Sequence, residues 1–356
     1  MFYNGCMFND SGGLGPVIEF LLKAAGWFCW LVAFIWAAAG ITFFPKWSVR
    51  VGACIAVVTL TTCLFAALGF ENRYLLIYGV WGFDLIVLIA MLCLRPRSDR
   101  VWATDMQHSI QVQTDNDVFV LDNVRDFSYR SEEDFTELWI RRRVPLNGLE
   151  KVWLGVEQIS AWEGVAHIFI SFEYEDESGS RDAVAVSAEI HRQAGEQFSV
   201  QRGLFRNFEL TYVVGTERDL IGLRTHVRLD PVRFYPLNMK RKAIKRLFQD
   251  VMSRAKKLQQ EPEFYHTITN NCASNMLYHL NKLAPHPISK WDKRIILSGW
   301  VDRVIYALKV VPGVRSLKEL RQKYLVDIAG FEVDEFYSDN LRTVGLNQTV
   351  DHKVSK

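Results

Sequence analysis

Cysteine is scarce in this sequence and unevenly placed: six among 356 residues, with only Cys272 beyond position 93. No two form a C-x-x-C pair, which removes a disulfide framework and a zinc ribbon from consideration. An excess of one charge is lacking too. Lysine and arginine total 42 against 40 acidic residues, and a formal net charge of +2 argues against a dedicated nucleic-acid binder. The sequence has no HExxH, P-loop, GxGxxG or GxSxG, so the commonest zinc-peptidase, NTPase, dinucleotide and serine-hydrolase signatures are missing. Internal repeats and low-complexity tracts are absent, and beyond Arg95 so are long apolar runs. No spacing suggests a metal site, and no cofactor is expected.

Before Arg95 the pattern reverses. Apolar runs over residues 24–44, 49–70 and 74–94 each approach the ~20 residues that cross a bilayer core as a helix. Pro45-Lys46-Trp47 and Glu71-Asn72-Arg73 separate them, and Trp47 and Tyr74 stand at run ends, where interfacial aromatics collect. The first run lacks a basic start and two more follow it, so it is not read as a cleavable signal peptide. Residues 17–23 form an amphipathic lead-in. Asp84, in the middle of the third run, reads as a neutral acid hydrogen-bonded within a three-helix bundle. Lys46, Arg50, Arg95, Arg97 and Arg100 outnumber Lys23 and Arg73 on the other side. That count alone would leave the rest of the chain in the cytoplasm.

This asymmetry predicts a membrane domain over 1–97, a second domain over 98–335 and a polar tail over 336–356. Within the second domain, strands are expected at 118–121, 166–172, 183–190, 208–214, 225–229 and 232–235, and Glu173–Gly179 reads as a hairpin turn. Local turns between short strands imply an antiparallel sheet. The run Arg141-Arg142-Arg143 reads as a solvated loop. From 240 the period becomes helical: Ala243, Leu247, Val251, Ala255 and Leu258 make an apolar stripe on a strongly basic helix. A second helix is expected over 272–282, with Asn271 as N-cap and Ala273, Met276, Leu277 and Leu280 facing the core. A third is expected over 295–311.

Cys272 therefore stands at a helix N-terminus, where free N–H groups and the helix dipole favour a thiolate. A nucleophilic thiol needs a base. His167 is the leading candidate because it lies inside an otherwise apolar strand, on the side opposite Ile168 and Ile170. His191 and His226 are reserves, and His266 is weaker because it sits in the loop. Asn270 or Asn271 would orient the histidine or donate to an oxyanion, in addition to turn and cap duties. Glu189 and Arg192 flank a strand end, and Glu217-Arg218-Asp219 occupies a turn. Both groups read first as surface charge or as an ion-pair network around the site.

The motifs Val165-Ala-His167-Ile-Phe-Ile-Ser-Phe172, Ser187-x-Glu189-x-x-Arg192, Glu217-Arg218-Asp219 and Pro262-Glu-Phe-Tyr265-x-Thr267-x-x-Asn270-Asn271-Cys272 occur in this order. Over about residues 102–311 the chain resembles the Lnb periplasmic domain family of bacteria. His266 departs from the family's usual Asn, and His191-Arg192 from its usual basic or polar pair. The resemblance implies an α+β, papain-like domain in permuted order, with its antiparallel sheet and Cys helix following the membrane helices. It is similar in this to the lecithin:retinol acyltransferase group. It implies an inner-membrane protein whose catalytic domain faces the periplasm, with phospholipids and diacylglyceryl lipoproteins as partners. Carried over, Cys272 is the nucleophile, His167 the general base, and Glu189 or Asn270 the third polar member. Tyr265, Thr267, Arg192 and Arg218 are candidates to hold substrate. The implied activity is N-acylation of lipoproteins. A thiol peptidase or amidase acting on cell-wall peptides and a non-catalytic envelope scaffold are the alternatives.

Overall fold

In the computed structural model the described residues are 91–327, 330 and 332–343, with scattered positions between 21 and 89. The expected membrane runs, Asp84 and the end of the polar tail lie largely or wholly outside them. Among the described residues no helix is long and apolar enough to cross a membrane. The chain divides into two compact units, Met1–Arg95 with Phe205–Asn207, and Pro96–Leu204 with Phe208–Lys356. The second carries the sheet.

Its strands are β1 (Gln111–Asp115), β2 (Val118–Arg125), β3 (Ser128–Tyr129), β4 (Phe135–Thr136), β5 (Trp139–Pro145), β6 (Leu149–Glu157), β7 (His167–Glu175), β8 (Arg181–His191), β9 (Glu209–Gly215) and β10 (Val232–Leu237). They pair in the order β1-β2-β9-β8-β7-β6-β10, with β5 also on β2 and β3-β4 as a separate hairpin. All contacts in the large sheet are antiparallel except β2–β9, which touch in parallel at Arg125↔Gly215. The helices used below are α1 (Glu217–Gly222), α2 (Arg241–Gln260), α3 (Cys272–Asn281), α4 (Val301–Ala307), α5 (Leu317–Lys323) and α6 (Tyr337–Arg342). The fold class is α+β with a mostly antiparallel sheet, as expected.

Alternation along the strands sorts the two faces. On β7, Ile168, Ile170 and Phe172 join one apolar cluster with Ile244, Leu247, Phe248 and Val251 of α2 and with Cys272, Ala273 and Met276 of α3. Phe169 joins the opposite cluster, with Trp153, Phe234, Ile221 of α1 and Tyr337 and Leu341 of α6. The register pairs Glu157↔His167, His191↔Glu209 and Val232↔Glu157 gather one set of strand ends at one edge of the sheet. There β7 and β8 part: their ladder stops at Phe169↔Ser187, while β8–β9 continues to His191↔Glu209.

Four expectations need correction. Residues 225–229 are not a strand, because α1 runs into a π-helical turn, Leu223–Val227. Thr225 Oγ1 donates back to Ile221 O at 2.9 Å, and the buried Arg224 side chain bonds Leu220 O, so local bonds override β-branched propensity. Arg141-Arg142-Arg143 is no loop. It lies in β5, and its side chains pair with Asp122, Asp182 and Glu177. The helix expected over 295–311 breaks at Leu297 into Lys293–Ile296, a single turn Ser298–Trp300 and α4. Lastly, the polar tail begins with α6, whose Tyr337 and Leu341 are fully buried. A six-residue helix with two apolar anchors is too short to show as a periodic stripe.

Candidate active site

The turn before α3 is built by its own side chains. His266 and Asn270 exchange two backbone hydrogen bonds of 3.0 Å each, and Tyr265 N donates to Phe208 O at 2.9 Å. Asn271 has the extended backbone of an N-cap. Its Oδ1 accepts from Ser274 N at 2.9 Å, and Ser274 Oγ accepts from Asn271 N at 2.8 Å, a reciprocal capping box. Cys272 is thus the first helical residue, where N–H groups lack intrahelical acceptors. The sulfur is 7% exposed as a residue and sits among the apolar side chains between α3 and the sheet. The backbone N–H groups of Ala273 and Ile168 favour its ionised form. The residue just before that second donor is His167.

His167 begins β7 and faces the other way. Its Nε2 lies 2.6 Å from Ser187 Oγ and 3.8 Å from Glu189 Oε1. Arg224 donates to Glu189 Oε1 at 2.7 Å and to Glu157 Oε2 at 2.8 Å, and its guanidinium lies 5.2 Å from the centre of the Phe169 ring. Glu157 and His167 are cross-strand partners, and the missing rung beyond Phe169↔Ser187 would pair His167 with Glu189. A carboxylate–imidazole–carboxylate row with a buried arginine therefore stands at the parting of β7 and β8. Among the described residues no hydrogen bond joins the imidazole to the thiol. The thiol packs with Ile168 on one face of the sheet, and His167, the preceding residue, lies on the other.

Electrostatics give both groups a proton preference opposite to that of an ion pair. Burial, and then the Arg224 charge, lowers His167 to about 4. Burial raises Cys272 to about 11, the two N–H groups offsetting only part of this, and the Glu189 and Glu157 charges push the same way. The thiolate expected at a helix start is thus outweighed by desolvation. Glu189 is held far below the ordinary carboxylate range: burial pushes it up, but Arg224 and His167 prevail. At neutral pH the site holds a thiol, a neutral imidazole and a carboxylate.

The remaining candidates separate into near and far. Tyr265 is buried, and desolvation followed by the neighbouring Cys272 and Glu189 charges raises its phenol. Thr267 Oγ1 donates to Val200 O at 2.8 Å and fastens the turn to the segment before β9. Asn270 spends its amide on Phe264 O at 2.9 Å and Glu263 Oε2 at 3.3 Å, and Asn271 donates to Thr267 O at 2.6 Å. Arg192 pairs with Asp105 and Arg218 with Asp126, each at 2.7 Å, beside the buried Arg125–Asp219 pair rather than at the thiol. His191 is stacked on Trp102 with ring centres 3.5 Å apart and bonds Met106 O at 2.9 Å. Sequence reasoning missed Ser187, Glu157 and Arg224. The first lay inside a quoted motif, but nothing local marks the other two as partners of His167. Concavities of about 610 and 380 Å³ are lined by neither Cys272 nor His167.

Residues 135–299 match the Lnb N-terminal periplasmic domain family, the family to which the motif resemblance pointed. The matched span includes His167, Glu189 and Cys272. Its description is that of an envelope domain facing the periplasm, against the count of basic residues around the apolar runs. No curated protein and no solved structure matches the chain.

Proposed function

We propose that this protein is a membrane-bound thiol acyltransferase of the bacterial envelope, with a papain-like domain in permuted order. It moves an acyl chain from a phospholipid or lipoprotein ester to the N-terminal amine of a lipoprotein. The observation that carries the reading is the placement of Cys272: first residue of α3, packed against β7 beside Ile168, the residue that follows His167. His167 turns from Ser187 toward the sulfur and takes the thiol proton as Sγ attacks the ester carbonyl. The tetrahedral oxyanion collapses, the alkoxide leaves with the proton from His167, and a Cys272 thioester remains. The amine then attacks that thioester, its proton passes to His167 and on to the departing sulfur, and an amide forms. A neutral thiol and neutral imidazole suit a coupled transfer, in which the proton moves during attack. Glu189, held by Arg224, stabilises the transient imidazolium.

Mass spectrometry of lipoprotein N-termini tests this, with the wild type and with Cys272→Ala at matched protein levels. The reading requires N-acylated termini only with the wild type. Full acylation with Cys272→Ala would sink it. Release of peptidoglycan fragments without lipoprotein acylation would point instead to the peptidase or amidase.

A further inference from the structure

Outside the reacting groups, α3 carries polar side chains that the proposed chemistry does not use. Asn275 and His279 are buried, as is Tyr212 on β9. Asp250 of α2 lies 2.6 Å from His279 Nδ1 and accepts from Lys282 Nζ at 2.6 Å. His279 Nε2 lies 2.8 Å from Tyr212 Oη, and the Tyr212 hydroxyl is 3.1 Å from Asn275 Oδ1. Asn275 Nδ2 then donates to Asn270 Oδ1 at 3.0 Å and to Asn271 O at 2.8 Å. The relay runs from a partly exposed carboxylate to the two residues that precede the thiol. It touches neither Cys272 nor His167.

Such a relay is costly in an apolar interface, where apolar side chains of the same size would pack at least as well. Nor is it needed to start the helix, since Asn271 and Ser274 already cap it. What apolar packing leaves loosely defined is the rotation of a helix about its axis. At 3.6 residues per turn, Cys272 and His279 lie nearly in line and Asn275 falls beside them. Bonds to Asn275 and His279 therefore set the azimuth of Cys272 against β9 and α2. They also hold the Asn270-Asn271 turn that decides where the helix begins.

We propose that Asn275, Tyr212 and His279 are positioning residues for Cys272, fixing the rotation of α3 so that its sulfur is held beside Ile168 of β7. The inference rests on the reading of Cys272 as the nucleophile. Its main readout is thiol chemistry, which does not depend on the substrate. In the full-length protein, the pH dependence of iodoacetamide modification is followed on the Cys272 peptide by mass spectrometry. Tyr212→Phe removes one hydroxyl, and Asn275→Leu removes both arms of the hub.

In either variant the sulfur leaves its place beside Ile168 and the pKa-lowering influence of that backbone, so its apparent pKa rises further above that of the wild type. Acyl transfer falls about tenfold in kcat with KM unchanged, as expected for a displaced reacting atom. His279→Gln, which keeps a polar partner for Tyr212, retains part of the activity. A merely structural role gives the opposite sign: loosening exposes the thiol and moves its apparent pKa down toward the free value. An unchanged modification profile in folded Tyr212→Phe and Asn275→Leu, or a downward shift, overturns the proposal. If Cys272→Ala leaves acyl transfer intact, the functional reading fails, while the modification profile still decides the positioning role.

Discussion

The two faces of the sheet are built on different principles. Beneath α2 and α3 the contacts are apolar apart from the relay through Asn275, Tyr212 and His279, with Phe248 fully buried edge-on against Phe119 and Phe172 at ring distances of 5.3 and 5.1 Å. Beneath α1 and α6 the apolar cluster is small, and buried ions surround it. Arg125 pairs with Asp219, Arg224 bridges Glu157 and Glu189, and Arg342 reaches Glu217 and Glu173 at 2.8 Å each. Ser171 adds a 2.5 Å bond to Glu217. The thiol belongs to the first face and the imidazole to the second. The proposed chemistry requires His167 to leave Ser187 and turn round the strand end to the sulfur.

Removing one key residue from each face separates the two kinds of packing most strongly. Phe248→Ala leaves a cavity under α2 and is expected to cost about 3–5 kcal/mol. Arg342→Ala takes the guanidinium from two buried carboxylates, Glu217 and Glu173, with an expected cost of similar size, about 3–5 kcal/mol. Denaturant unfolding of the two variants at pH 7 gives the magnitudes, and pH tells the faces apart. Lowering the pH neutralises Glu173, which Arg342 helps to hold ionised, and recovers part of the loss in Arg342→Ala. It leaves the Phe248→Ala deficit unchanged. Equal pH responses would mean that the buried ions do not distinguish the second face.

Legibility in the sequence followed the same division. Ile168-Phe169-Ile170, the α2 stripe and the Asn271-Cys272 junction were readable because each is a local pattern: alternation, helical period and cap. The side chosen for His167 followed from alternation as well. Arg224 was hidden because it lies in a segment with strand-like composition, and its partners are 35 and 67 residues away. Arg342 was hidden because a short helix far along the chain shows no stripe. Pairing of buried charges is a property of the fold, and no spacing announces it. The thiol pKa was misjudged for a related reason: a helix N-terminus is visible in sequence, but the burial that outweighs it is not.

A smaller effect joins the two faces through pH. His167 resists protonation in the fold down to about 4, while an unfolded histidine takes its proton near about 6.5. The unfolded chain therefore binds more protons in that interval, and stability falls as pH drops from about 6.5 toward 4. Cys272 keeps its proton to about 11, whereas an unfolded thiol loses it near about 8.5. Here the folded chain binds more, and stability falls as pH rises through that range. Unfolding free energies across pH should form a plateau with two shoulders. His167→Gln should flatten the acid shoulder alone and Cys272→Ser the alkaline shoulder alone. If both respond to one substitution, the groups titrate as a pair and the separation of faces at the site is incorrect.

The least disruptive test is Asn271→Ala. The capping box gives way, and loss of an N-cap costs about 1 kcal/mol, small beside either large truncation. Its value lies in location. Asn271 precedes the thiol and stands on the apolar face, so its loss should lower the unfolding midpoint slightly without moving the acid shoulder set by His167. The modification rate of Cys272 should change, because the first turn of α3, which carries the thiol, frays. A shift of the acid shoulder in this variant would mean that the cap already communicates with the imidazole in the resting state. His167 would then not need to turn from Ser187 before it can act.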